Sequence, residues 1–311
     1  MDPRLFLADL EAKPAVLAGL ASAADPFASL PAHVEHVLLL GMGSSRYAAS
    51  VAAHRMRCAG IDALAEYASA RPHPLRPGTL VVAISATGGS AETLDAVSAY
   101  AGRAPIVAMT NVPGSAICSQ ADVVVPMLAG EERGGVACRT YQHTLVLLLA
   151  LTAHLTGGAL GDLALRAADA CDDLLTRRGE WLDRVIEALD GPDGVYALAP
   201  AERLASAQQA ALMFREGPRR AATGCETGDW AHVDVYLTKT LDYRALLFTG
   251  SRYDEQAIDW LRQRASTVVA VGADRPGAAV TVRYRGDDDP DVALLTEVPV
   301  AELVAATWWS P

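Results

Sequence analysis

The sequence predicts an α/β protein with parallel sheets, and three observations carry that expectation. Short apolar runs alternate with stretches of helical spacing from residue 36 onward, two of those runs end directly in loops of glycine and hydroxyl residues, and the alternation restarts after residue 190. Strands that alternate with helices need crossover connections, and crossovers make neighbouring strands parallel, so each half reads as a doubly wound domain. The 311 residues are enough for two such sheets, each with its own core.

Residues 1–35 read as a helical leader and a connector rich in Pro and Ala. Residues 36–160 form the first domain. The apolar run Val37–Leu40 is a strand that stops at Gly41, and helical spacing follows over Ser45–Cys58. Ala63–Glu66 is a short strand and Leu80–Ile84 a fully apolar one, with a helix over Ala91–Tyr100 behind it. Ile106–Met109 and Val123–Val125 are strands separated by the turn Asn111-Val112-Pro113-Gly114, and a long helix covers Thr140–Leu155 before Gly157-Gly158 and Gly161 end it. A charged, leucine-bearing helix over 162–189 is expected to link the halves, within a linking segment 161–190. In the second domain, 191–311, Val195–Leu198 is a strand, Ala201–Arg215 a helix, Ala245–Phe248 a strand and Asp254–Arg264 a helix. Val268–Val271 and Val280–Tyr284 are strands, and Pro299–Trp308 is a closing helix.

The composition is 51% apolar, 20% charged and 6% aromatic, that of an ordinary soluble α/β protein. A formal net charge of -11 makes nucleic acid and anionic membrane poor partners. A small anion stays compatible, because exposed charges beyond about 8 Å are screened at physiological salt. Asp2, Arg4 and Asp9 break any apolar core in Met1–Leu10, and no uninterrupted apolar run reaches the about 18 residues of a membrane span. Cys58, Cys118, Cys138, Cys171 and Cys225 are scattered without metal-ligand spacing. That pattern fits a reducing cytoplasm, with no disulfide frame, metal or cofactor expected. Only Lys13 and Lys239 are lysines.

The chemistry concentrates in two loops, Gly41-Met42-Gly43-Ser44-Ser45 and Ser85-Ala86-Thr87-Gly88-Gly89-Ser90, each after a strand and before a helix. Glycines let the backbone approach a ligand, while hydroxyls and helix-start N–H groups point at one place, the design of a phosphate cradle. Position 46 is Arg46 where a dinucleotide fingerprint has its third glycine, and no Gly-Lys-Ser/Thr run exists. A small phosphorylated metabolite fits better than a nucleotide. The halves also compare: Val37-Leu38-Leu39-Leu40-Gly41-Met42-Gly43-Ser44 with Val195-Tyr196-Ala197-Leu198-Ala199-Pro200-Ala201-Glu202, and Val82–Gly88 with Leu246–Arg252. These pairs fit a diverged repeat and chance similarity between two α/β halves equally well.

Ser85, Thr87, Gly88, Ser90, Glu92 and Thr93, taken with the first loop, resemble the sugar isomerase (SIS) family of phosphosugar-binding domains. Thr110–Ser115 with Ala121-Asp122, and Gly135–Tyr141, are similar to the segments that follow in those proteins. The double layout resembles the isomerase half of glucosamine-6-phosphate synthase and its deaminase and deglycase relatives. The resemblance implies two flavodoxin/Rossmann-like SIS subdomains with parallel sheets flanked by helices. It implies a phosphorylated sugar or amino sugar, such as a hexose(amine) 6-phosphate, held by Gly43, Ser44, Ser45, Ser85, Thr87, Gly88, Ser90, Cys138 and Arg139. Cys138 is expected as a small loop residue and not a nucleophile.

Ala211–Glu216 resembles the family helix that ends in the catalytic glutamate, and Gly228-Asp229-Trp230-Ala231-His232 resembles its glycine–acid–x–x–histidine segment. Glu216 is then the base that moves a proton between C1 and C2, and His232 the ring-opening acid/base. The family's histidine crosses a dimer interface, which implies a homodimer. Departures are plain. Met213 stands at a family lysine, Val233-Asp234 at Gly-Pro, Gly89 at a polar residue and Ala137-Cys138 at Ser-Thr. No segment resembles a glutamine-hydrolysing domain or the family tail that carries a Schiff-base lysine, so neither chemistry is expected unless Lys239 serves. An isomerase or deaminase is therefore the first expectation, and a non-catalytic phosphosugar sensor the second. Elsewhere, His143, His154, Cys171 and Cys225 read as packing residues, Trp308-Trp309 as core or dimer packing ahead of a shortened lid over the site, and Asp287–Asp289 as a solvated loop.

Overall fold

The central apolar runs form strands that are buried along almost their whole length, as parallel strands inside an α/β sheet must be. The computed structural model describes residues 1–22, 25–31 and 34–310; parts of the expected leader, 23–24 and 32–33, lie outside the described residues, as does Pro311. Two helices, α1 (Pro3–Glu11) and α2 (Lys13–Ala21), precede β1 (His36–Gly41), α3 (Gly43–Cys58), β2 (Asp62–Tyr67) and β3 (Thr79–Ile84). Then come α4 (Ala91–Ser98), β4 (Ile106–Thr110), β5 (Val123–Pro126), α5 (Arg139–Thr156), α6 (Leu163–Thr176) and α7 (Arg178–Leu189). The remaining elements are β6 (Val195–Ala199), α8 (Leu204–Glu216), β7 (Ala222–Glu226), α9 (Thr227–Trp230), β8 (Arg244–Phe248), α10 (Asp254–Gln263), β9 (Thr267–Val271), β10 (Val280–Val282), α11 (Pro290–Thr296) and α12 (Pro299–Trp309).

The chain divides into two compact units. One comprises Val16–Glu132 and Ala137–Ala164. Its sheet has the order β2-β1-β3-β4-β5 with every pair parallel. Leu38, Leu40, Val81, Ala83, Val97, Tyr100, Ile106 and Ile117 pack into one core cluster. The edge strand β2 alternates buried and exposed residues, because only one of its faces is covered. Strand order reverses between β1 and β3, which makes their carboxyl ends the topological switch point where ligands bind in such sheets.

The other unit comprises Met1–Ala15, Arg133–Val136 and Leu165–Pro311. Its sheet runs β10-β9-β8-β6-β7, again all parallel. Counted along the chain within each unit, both sheets have the order second, first, third, fourth, fifth. The two halves therefore share one topology. Leu198, Trp230, Tyr243, Leu247, Ile258 and Leu261 form a core cluster on this sheet. Helix α1 belongs to this unit: the buried Asp9 carboxylate accepts from the N–H of Gly134 at 2.7 Å, and Lys13 pairs with Glu302 at 2.7 Å, both groups buried.

Several elements differ from the sequence expectation. The single helix expected over 162–189 is two, α6 and α7, which meet at Arg177. Strand β7 carries no apolar run, and it is a strand because its backbone pairs along β6 and α8 packs directly over it. A Cβ on Gly224 would lie 2.6 Å from the backbone oxygen of Ala207, so the close approach needs glycine. Asp287–Asp289 is only partly solvated: Asp287 accepts from Arg283 and from the N–H of Tyr284, and Asp289 caps α11 at Asp291 and Val292. Pro290–Trp309 is long and apolar enough to cross a membrane by length and composition, but 83% of its apolar window is buried in the fold. Its buried carboxylates Glu297 and Glu302 are paired with Arg203 and Lys13, as suits helices that pack inside a protein.

Gly224→Ala should lower stability by about 1–3 kcal/mol, since its neighbour is backbone and cannot turn aside. Gly19→Ala, in helix α2 with open space around it, should gain about 0.5–1 kcal/mol. Urea unfolding of the two variants should move the midpoint in opposite directions.

Candidate functional site

Both glycine-hydroxyl loops lie at the switch point, one after β1 and the other after β3. At the first, a Cβ on Gly41 would lie 2.9 Å from that of Ser45, so the strand runs tightly into the helix. Gly43 sits at φ +50 with open space beside it, and Ser44 and Ser45 follow in the first turn of α3. The cap residue Met42 makes no side-chain hydrogen bond and no acid stands in that turn. The positive end of a 16-residue helix thus meets the carboxyl edge of the sheet with no carboxylate of its own turn to balance it.

In the second loop the buried Ser85 hydroxyl accepts from the N–H of Gly88 at 3.1 Å. Gly88 has φ +63, and a Cβ there would lie 2.6 Å from that of Ser115, so the sharp turn needs glycine. Thr87 and Gly89 are exposed. Ser90 caps α4 by accepting from the N–H of Thr93 at 3.4 Å and donates to Glu92 at 2.9 Å. Glu92's own backbone N–H and the Ser90 hydroxyl hold its carboxyl below the usual range. Hydroxyls and N–H groups from two adjacent strand ends therefore share one edge of the sheet, which is the chemistry of an anion site built without lysine.

The start of α5 is arranged otherwise. The Glu132 carboxylate accepts from the N–H groups of Cys138 at 2.7 Å, Arg139 at 2.6 Å and Thr140 at 3.0 Å, and from the Thr140 hydroxyl at 2.7 Å. Cys138 is fully buried, and the nearly buried Arg139 turns its guanidinium toward the Glu131 carbonyl. Of the residues expected to hold substrate, these two are thus packed into the start of a helix whose donors one internal carboxylate already serves.

A parallel situation appears at the equivalent strand ends of the second sheet. There the N–H of Gly250, after β8, donates to Asp254 at 2.7 Å, and Arg275, after β9, donates to the same oxygen at 2.8 Å. Arg203, after β6, pairs with Glu297 at 3.0 Å and donates to the Thr249 carbonyl. Asp254, Arg203 and Glu297 are all buried. In this copy buried charged side chains of the protein engage the loop Thr249-Gly250-Ser251 that follows β8.

Glu216 and His232 belong to the second unit, whereas the two loops belong to the first. Glu216 is the last residue of α8 and half-buried; burial raises its carboxyl above the ordinary value, against the opposing charge of Arg215. His232 is exposed just after α9, its N–H donating to the Asp229 carbonyl at 2.8 Å. The segment is anchored by Trp230, whose indole N–H donates to the Tyr243 hydroxyl at 2.8 Å, and Tyr243 stacks on Tyr196 at 4.0 Å. Asp234 is raised by its own burial and by Asp229. Met213 is buried in α8, and Lys239 is exposed over the ring of Tyr236. Burial pushes the Cys225 thiol up to about 12, which leaves it unreactive at neutral pH. A groove of about 380 Å³ along α5, lined by Pro126, Leu128, Leu147, Ala150 and His154 among others, shares no residue with the loops. Its walls are chiefly apolar and offer an anion nothing.

Sequence reasoning missed Glu132, Arg203, Asp254 and Glu297. Each acts through a contact made by folding, and only Asp254, at the start of a helix, had a local signal.

This sheet order, with a hydroxyl-rich loop at the switch point, is that of a doubly wound α/β domain, and residues 32–154 match the SIS domain family. Over 276 residues the chain is 25% identical to glutamine–fructose-6-phosphate aminotransferase (isomerizing) of Sulfurisphaera tokodaii, covering 87% of the chain and 45% of that protein. The chain spans about half the length of such relatives. The fold is that of the C-terminal domain of glucosamine-fructose-6-phosphate aminotransferase from Francisella tularensis (TM-score 0.81, 17% identity, 98% of this chain and 96% of that one). It is equally that of tagatose-6-phosphate ketose/aldose isomerase from Escherichia coli (TM-score 0.82, 17% identity, 98% and 92%).

Glu132→Ala removes an acceptor shared by four donors and should cost about 3 kcal/mol of stability, with Glu132→Gln less damaging. Amide hydrogen exchange should show the loss first in the opening turn of α5.

Proposed function

We propose that this chain binds a phosphorylated sugar or amino sugar, such as a hexose(amine) 6-phosphate, and interconverts its aldose and ketose forms, with gain or loss of an amine as a possible coupled step. The observation that carries this reading is the pair of hydroxyl-glycine loops at the first sheet's switch point, beside a helix start with no side-chain cap. Ser45, Ser85, Thr87 and Ser90 hold the phosphate with backbone N–H groups of Gly43 and Ser44, while Gly88 gives the second loop its sharp turn. Hydrogen bonds to a charged group contribute about 1.5–3 kcal/mol each, so a few converging ones hold a phosphate without lysine.

Isomerisation then needs ring opening and a proton shuttle. His232 moves a proton between the ring oxygen and the O1 hydroxyl to open the ring. Glu216 takes the proton from C2, leaving an enediolate, and returns it to C1, while the hydroxyl proton passes from O2 to O1 and the carbonyl moves to C2. The raised carboxyl of Glu216 suits a base that must also give the proton back. A homodimer sharing the His232 segment is part of the reading, supported by the exposed apolar residues Val233, Tyr236 and Leu237 that follow the histidine. A cytoplasmic setting accords with five free cysteines.

Glu216→Gln should cut turnover by about 10²–10⁴ while sugar-phosphate affinity stays unchanged. Exchange of the C2 hydrogen in deuterated water measures the step directly. Because Glu216 must be ionised to act as base and its carboxyl lies above the ordinary value, the rate should fall with decreasing pH earlier than for an ordinary carboxylate. Ser85→Ala and Ser90→Ala should instead weaken binding, each by about tenfold or more. The buried Met213, at a position where the family carries lysine, favours a second reading as a sensor without catalysis. Thermal stabilisation by sugar phosphates with no C2 exchange in the unaltered protein would decide for the sensor.

A further inference from the structure

Helix α8 ends at Glu216, so whatever holds the next residue sets where that carboxylate stands. Gly217 closes the helix with its N–H on the Met213 carbonyl at 3.2 Å. A Cβ on Gly217 would lie 3.0 Å from Cε3 and 3.4 Å from Cδ2 of Trp309, so the indole abuts the glycine and leaves no room for a side chain there. Phe6, on α1, holds Trp309 from elsewhere, with ring centroids 5.9 Å apart. Trp308 packs on Phe214, two residues before Glu216, at 5.3 Å, and the Arg220 guanidinium covers its ring at 4.0 Å. Arg220 is itself tied to Asp190 and donates its N–H to the Phe214 carbonyl at 2.9 Å. At the opposite end of α8, the cap residue Arg203 pairs with Glu297, just before α12. The segment that carries α12 thus grips α8 at both ends.

We propose that Trp309 is a positioning residue for Glu216, pressing on Gly217 so that the last turn of α8 stays closed and the carboxylate stays half-buried. This rests on the reading of Glu216 as the base. The contact is neutral: α12 contributes two indoles here, and α1 contributes Phe6. The charge that acts on Glu216 is that of its neighbour Arg215, while Arg220 is held by Asp190 and Trp308. Removing the indole lets water reach the helix end without removing any charge. The carboxyl then falls toward its ordinary value, and Glu216 becomes a weaker base.

The test compares Trp309→Ala, Trp309→Phe and Gly217→Ala with the unaltered protein, each checked for folding by circular dichroism. Trp309→Ala should slow C2 exchange of a sugar phosphate by about three- to tenfold at unchanged KM, and shift the acid limb of the pH profile to lower pH. Trp309→Phe should restore most of the rate, and Gly217→Ala, which crowds the indole, should move the profile the same way as Trp309→Ala. A 13C titration of the Glu216 carboxyl reads the same change without any turnover. A titration midpoint and acid limb that do not move in folded Trp309→Ala overturn the proposal; if that variant does not fold, an unmoved midpoint in Gly217→Ala does so. Unchanged exchange in Glu216→Gln overturns the base role instead, and the titration still reports on Trp309.

Discussion

A parallel sheet delivers strand ends and helix starts to one edge, and the N–H groups gathered there favour negative charge. This structure answers that demand in three ways. At the start of α5 the carboxylate of Glu132 accepts from four donors. At the carboxyl ends of β6, β8 and β9, Asp254 accepts from Gly250 and Arg275, while Glu297 neutralises Arg203. At the ends of β1 and β3 the loops present glycines and hydroxyls, which can turn toward an external anion. The candidate ligand site follows from that contrast.

The contrast also gives physical content to the comparison of the two halves. Both sheets have the same strand order, so both inherit an anion-favouring edge. A buried carboxylate beside an arginine satisfies that edge permanently, and the residues around it become framework. The second unit carries Glu216 and His232 on elements anchored by its core, Phe214 beneath the helix end and Trp230 beneath the histidine segment. In the proposed reading one copy of the fold holds the ligand and the other carries the proton-transfer groups.

Much of this was legible in the chain. The apolar runs read as strands are strands, the last of them ending at Val282 and not Tyr284, and their shortness separates them from the longer buried runs of α5 and α12. The two loops were legible because glycine and serine between a strand and a helix have few structural uses together. Strand β7 was hidden, because Ala222–Glu226 owes its conformation to backbone pairing with β6 and to the bare Cα of Gly224 under α8. Cys138 and Arg139 matched a pattern of residue types, but their exposure depended on Glu132, and no local signal announces that a carboxylate will fold back onto a helix start.

The sequence by itself determined the α/β class, the alternation of elements and the place of the two loops, because periodicity and short motifs are properties of neighbouring residues; Glu216 and His232 became candidates through the resemblance of their segments to the SIS family. Only the tertiary structure decided which anion-favouring edges the protein fills with its own carboxylates, that α1 and α12 belong with the second sheet, and that an indole closes the helix at Glu216. Those outcomes join Asp9 to Gly134, Arg203 to Glu297 and Trp309 to Gly217. Burial and charge pairing act between residues that only the folded chain brings together.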